Sequence, residues 1–195
     1  MNFKLVFFLV LPHIFSSCDS LEMPKPKAYL SLDYPLPKYE EVKVGDNLLV
    51  EINATETFQK NLIKFNSDFS KKIVYQLIKA DLKLEYYNLN DENNLNDRLK
   101  TLNHITSIHL NKSSKAPKIQ EYVNQNKNVY ASVININGDV ISPYQFFATD
   151  SLNHLLVGVL NLRNKTKYDS VLPALIYLKK DIYHLIESIK WTSNK

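Results

Sequence analysis

Asp150, Ser151 and His154 sit in one short stretch of a 195-residue chain and carry a carboxylate, a hydroxyl and an imidazole, the groups of a hydrolytic triad. Triads are assembled by the fold from separated segments, so closeness in sequence is weak support for this one. A second reading of the segment Ser142-Pro143-Tyr144-Gln145-Phe146-Phe147-Ala148-Thr149-Asp150-Ser151 is a hairpin connection. In that case Thr149, Asp150 and Ser151 hydrogen-bond nearby backbone, and Phe146 and Phe147 plug the edge of the core. A third is a partner-binding loop, because aromatic side chains beside polar groups make good interface anchors. Its candidate contacts are Ser142, Pro143, Tyr144, Gln145, Phe146, Phe147, Thr149, Asp150, Ser151 and His154.

The other residue with evident chemistry is Cys18, the only cysteine. A short basic start, Met1-Asn2-Phe3-Lys4, precedes an apolar run from Leu5 to Phe15, the pattern of an export signal and too short to span a bilayer. Phe15-Ser16-Ser17-Cys18 resembles a bacterial lipobox, in which the thiol is acylated before cleavage. The division expected is 1–17 signal peptide, 18–42 lipidated proline-rich tether and 43–195 a single domain. Pro24, Pro26, Pro35 and Pro37 favour extended backbone in the tether. A lone thiol cannot form an internal disulfide, which favours a bacterial envelope protein over a secreted eukaryotic one.

No nucleotide-binding loop, paired-cysteine metal site or His-x-x-x-His helix is present, so no metal and no cofactor is expected. His104, His109 and His184 read as helix-face residues. The net charge of +4 is spread over many lysines, with Arg98 and Arg163 the only guanidinium groups, which argues against nucleic-acid binding.

Alternation predicts strands at Leu48 to Ile52, near 60 to 66, at Lys79 to Tyr87 and at Val129 to Ile136. Asn137-Gly138 suits a tight hairpin turn, with a strand folding back from Asp139. Leu152 to Leu162 is apolar on both faces and belongs near the middle of the sheet, with Gly158 marking a close approach or bulge. Leu95, Leu99, Leu102, Ile105 and Ile108 have helical spacing, as do Leu172, Leu175, Leu178, Ile182, Leu185, Ile186 and Ile189 in a helix from about Ser170 to Lys190 capped by Asp169 or Ser170. Trp191 and Tyr183 are expected to pack that last helix. The fold class is α+β: an antiparallel sheet of about six strands with two main helices packed on it, an order similar to the Mog1/PsbP-like topology.

Several segments resemble the gliding-motility lipoprotein GldD family of the Bacteroidetes. They are Pro24-Lys25-Pro26-Lys27-Ala28-Tyr29, Leu32-Asp33-Tyr34-Pro35, Ser142-Pro143, Gln145-Phe146 with Thr149-Asp150-Ser151, His154, and Tyr168-Asp169-Ser170-Val171-Leu172-Pro173 through Trp191. The resemblance implies a palmitate-bearing envelope lipoprotein, held in the outer membrane facing the periplasm. It also implies work with other envelope proteins in gliding motility and type IX secretion, with no established enzymatic activity. The reading that follows is a non-enzymatic structural or assembly component. Its rivals are a hydrolase acting on envelope polymers or esters, with Asp150 and His154 as acid and base, and a carrier of an apolar ligand.

Overall fold

The computed structural model describes residues 33–45, 47–55, 70–89, 95–100, 103, 107, 113, 116–164 and 167–192. Cys18, the signal segment, the strand expected near 60 to 66, and His104 and His109 lie outside them. Nine strands are described. They are β1 (Tyr39–Lys43), β2 (Leu48–Asn53), β3 (Ser70–Tyr75), β4 (Ala80–Asn88), β5 (Lys118–Asn124), β6 (Val129–Asn135), β7 (Tyr144–Thr149), β8 (His154–Leu162) and β9 (Lys190–Trp191). Residues 95–100 are helical, as are 103 and 107 (α1), and a long helix α2 covers Tyr168–Ser188.

Six strands form one antiparallel sheet in the order β3-β4-β8-β7-β6-β5, and β1-β2-β9 form a small second sheet. The α+β class with a six-stranded antiparallel sheet is as expected. The alternation in β4 does what its pattern requires. Ala80, Leu82, Leu84 and Tyr86 are buried on the face that packs with α2, whereas Asp81, Lys83 and Glu85 stand on the opposite face. On the α2 side the core combines Val50 and Ile52 of the small sheet, Phe146 and Leu160 of the large one, and Leu175, Leu178, Ile182, Leu185, Ile186 and Ile189 of or just after the helix. On the reverse face Leu89, Leu155 and Val157 are covered by Leu95, Leu99 and Phe147.

β8 is buried on both sides between β4 and β7, the central place its two-sided apolar pattern demands. Gly158 lies opposite Phe146 in the β7–β8 ladder, and a methyl group there would collide with the Phe146 ring. It is a close approach.

Two local expectations give way to tertiary context. Asn137-Gly138 does not make a two-residue hairpin. Residues 136–143 connect β6 to β7, closed by Ile136 N–H donating to Pro143 O, and the returning strand starts at Tyr144. Helix α2 starts at Tyr168, so neither Asp169 nor Ser170 caps it. Instead Asp139 Oδ1 accepts from the Tyr168 amide at 2.8 Å, a cap supplied from another loop. Pro173 consequently falls inside the helix rather than in its first turn, and forgoes one intrahelical hydrogen bond. Trp191 packs against the core cluster that includes the inner face of α2, and it does so from β9, where it pairs with Leu48 and stacks on His154 at 5.3 Å between ring centroids.

Candidate functional site

The Ser142 to His154 segment is strand β7 followed by a four-residue turn, 150–153. Its members separate by depth. Ser142 is buried and donates to Asn161 Oδ1 at 2.5 Å, and Pro143 is buried with its carbonyl in the β6–β7 connection. Tyr144, Gln145 and Phe146 are buried within the sheet. Tyr144 packs in the cluster shared with α2, and burial, with Tyr168 and Tyr183 nearby, pushes its hydroxyl up to about 12. Phe147 is half-buried against the reverse-face cluster.

The turn itself is stapled by side chains. Asp150 Oδ1 accepts three backbone amides, from Leu152 at 3.0 Å, Asn153 at 2.8 Å and His154 at 2.8 Å. Thr149 Oγ1 donates to His154 O at 2.6 Å and accepts from the Ser151 amide at 2.9 Å. Short polar side chains compete for local backbone in this way, and the network permits Ser151 its left-handed φ of 70°. One carboxylate oxygen of Asp150, Oδ1, is thus turned onto the peptide groups of its own turn.

His154 points the other way, into the core. Its Nδ1 shares a 2.8 Å hydrogen bond with the Tyr86 hydroxyl, and its ring lies between Tyr86 and Trp191. Asp150, Ser151 and His154 are neighbours in a hairpin, not a triad aimed at a common atom. What reaches solvent at this end is Ser151, Leu152 and Asn153, with Leu152, 74% exposed, the large apolar side chain of the turn. Asp150→Ala is expected to lower the unfolding free energy by about 1 kcal/mol, the scale of losing one capping side chain, read from the urea midpoint at unchanged slope.

A second polar cluster was not anticipated. Asp181, on the α2 flank facing β1 and β2, is buried and accepts from the Tyr39 hydroxyl at 2.9 Å and from Asn53 Nδ2 at 3.0 Å. Asn53 Nδ2 also donates to Tyr177 Oη at 2.9 Å, and Tyr177 donates to the Pro35 carbonyl at 3.0 Å. Tyr34 stacks on Tyr177 at 4.9 Å, and Tyr39 stacks on His184, whose Nε2 meets Glu51 Oε2 at 2.7 Å. Desolvation raises the Asp181 carboxyl above its ordinary value, against the opposing pull of Asn53, Tyr39 and His184. The chemical product is a clasp: the incoming segment, 33–38, is bound across the middle of α2. The spacing Tyr177, Asp181, His184, Ser188 was the available signal, since it draws a polar stripe down a helix that is otherwise apolar on its inner side.

Among the described residues no group of three or more His, Cys, Asp or Glu could hold a metal ion, and no helix is long and apolar enough to cross a membrane. Fold and site together define an α+β module gripped where its N-terminal segment arrives and presenting a stapled hairpin at the far end of its sheet. The chain belongs to the gliding motility lipoprotein GldD family, whose pattern matches residues 19–191. Among curated proteins and among solved structures no match is found.

Proposed function

We propose that this protein is a non-enzymatic lipoprotein of the cell envelope, acylated at Cys18, that serves as a structural or assembly component of the gliding motility and type IX secretion apparatus. The family supports the motility setting. In this reading the anchor lies in the outer membrane with the domain facing the periplasm, 18–32 is spacer, and the clasp around Asp181 holds the end of that spacer against the domain. The observation that carries the non-enzymatic role is the use of Asp150 and Thr149 on turn backbone, which leaves a rigid tip and not a reactive centre.

The contact surface is narrower than the whole segment 142–154. Tyr144 and Phe146 are buried in the sheet away from it, while Leu152, Ser151 and Asp150 meet the partner, with Phe147 flanking. A leucine held on a stapled turn is a suitable anchor for a protein pocket, because little conformational freedom is lost on binding. Leu152→Asp is expected to weaken recovery of crosslinked envelope proteins by about tenfold, equivalent to about 1.4 kcal/mol. The denaturation midpoint should not move. Undiminished recovery by a folded Leu152→Asp protein would rule the tip out.

A further inference from the structure

The two ends of the large sheet differ. At one end β4 and β8 finish with Asn88 opposite His154, next to the Leu152 turn. At the other, Ala80 lies opposite Leu162, and three segments converge. The β3–β4 turn, Gln76 to Lys79, is tied to the chain after β8 by Arg163 N–H donating to Lys79 O at 2.8 Å. The β6–β7 connection is tied in by Leu162 N–H donating to Ile141 O at 2.8 Å. β2 runs from Leu48, whose partner Trp191 stacks on His154 at the Leu152 end, to Asn53, which bonds Asp181 and Tyr177, so the clasp and the incoming segment lie toward the opposite end.

Exposed apolar side chains gather there. Leu36 is 89% exposed in the incoming segment, Leu77 55% in the β3–β4 turn, Ile141 49% in the β6–β7 connection, and Ile176 52% on α2 beside Tyr177. These are four of the eight large hydrophobic residues exposed among the described residues. Lysines accompany them: Lys38, Lys79 and Lys180 are exposed two to four residues along the chain from Leu36, Leu77 and Ile176, and none is in an ion pair among the described residues. The carboxylates nearby include Asp81, paired with Arg163 and Lys72, and Asp139, which caps α2. Scattered surface leucines need no explanation. Four at the end where a lipidated segment arrives, each on a different piece of chain, form the pattern of apolar tips with flanking ammonium groups that suits a headgroup layer.

We infer that this end of the domain, through Leu36, Leu77, Ile141 and Ile176, rests on the lipid surface to which the N-terminus is attached. The inference rests on acylation at Cys18. A spacer from Cys18 to Asp33 spans at most about 50 Å when extended, so the tether alone would let the domain stand well clear of the bilayer. It also keeps the membrane at high effective concentration, so contacts too weak to bind a free protein suffice. Seating this end downward turns the Leu152 hairpin away from the membrane, toward other envelope proteins.

Cys18 being the only cysteine, acylation leaves no competing thiol for a reporter. Lipidated protein carrying Leu77→Cys, Ile176→Cys or Leu152→Cys is labelled with a fluorophore and reconstituted into vesicles of phosphatidylethanolamine and phosphatidylglycerol containing nitroxide-labelled lipid. Quenching roughly threefold stronger at 77 and 176 than at 152 is expected if the tips reach the headgroup boundary. Equal quenching at all three positions in protein that floats with the vesicles would overturn the inference and leave the anchor standing. Protein that fails to float would remove the Cys18 anchor, and the inference with it.

Discussion

Phe146→Ala lowers the unfolding free energy by about 3–5 kcal/mol, because a fully buried ring at the centre of the sheet is replaced by a void that its neighbours cannot close. In a chain of this length each kcal/mol moves the melting temperature by about 2–4 °C, so thermal scans should show a fall of about 10 °C. Gly158→Ala is expected to cost about 1–3 kcal/mol for the opposite reason, since the added methyl meets the same ring across the β7–β8 ladder and the packed core gives it nowhere to go. The two changes should not add. In Phe146→Ala/Gly158→Ala the new methyl enters the space the ring vacated, and the double variant should be more stable than the sum of the single losses implies. Strict additivity would mean that Phe146 does not press on Gly158. Phe147→Ala, on the half-exposed face, should cost clearly less.

Asp181→Ala is the second large effect, expected at about 2–3 kcal/mol, since it strips the Tyr39 hydroxyl of its acceptor and Asn53 of one of two. Asp181→Asn should rescue in part. Asn53 Oδ1 already accepts from the Lys38 and Thr55 amides, so its amide group cannot turn over, but an asparagine at 181 can keep its carbonyl on Asn53 Nδ2 and donate its NH2 to the Tyr39 oxygen. The effect has a pH signature. A carboxyl whose value is raised in the folded state favours folding most at acid pH, and that contribution falls as pH climbs from the ordinary carboxylate range through the raised value. The stability gap between wild type and Asp181→Ala should therefore narrow as pH rises over that window, followed by urea titration at each pH. A gap that widens with pH would contradict the buried, desolvated setting of Asp181. Proteolysis offers a second readout, because release of Tyr39 and Tyr177 from the clasp exposes the chain around Pro35 to cleavage.

Much of this architecture was legible where burial imposes a period. β4 alternates because one of its faces is wet. β8 is apolar on both faces because it lies between two layers, and α2 repeats every three to four residues against the core. The strands that escaped notice lack that period. β3, Ser-Lys-Lys-Ile-Val-Tyr, is buried at Ser70 and from Ile73 to Tyr75, but adjacent lysines followed by adjacent apolar residues give it no alternation. β5, Lys-Ile-Gln-Glu-Tyr-Val-Asn, is an edge strand exposed over most of its length, so nothing selects for alternation in it. β1 is likewise a half-exposed edge, and it begins at Tyr39, within the stretch expected to be tether. β9 is two residues long. In the Thr149 to His154 turn, Asp150 and Thr149 could be read correctly as local backbone partners because the bonds they make are local. Asp181 could not. Its partner Tyr39 lies 142 positions away in the chain, and no pattern within α2 says what stands opposite.

The pairing of Leu48 with Trp191 has a consequence for timing. The small sheet needs a strand from the first third of the chain and one from its last few residues, and contacts of such long separation form late. Until the final stretch has emerged, β1 and β2 remain without their third partner, and His154 lacks the indole that covers it. For a chain exported as proposed above, the small sheet would close only after β9 has crossed the membrane.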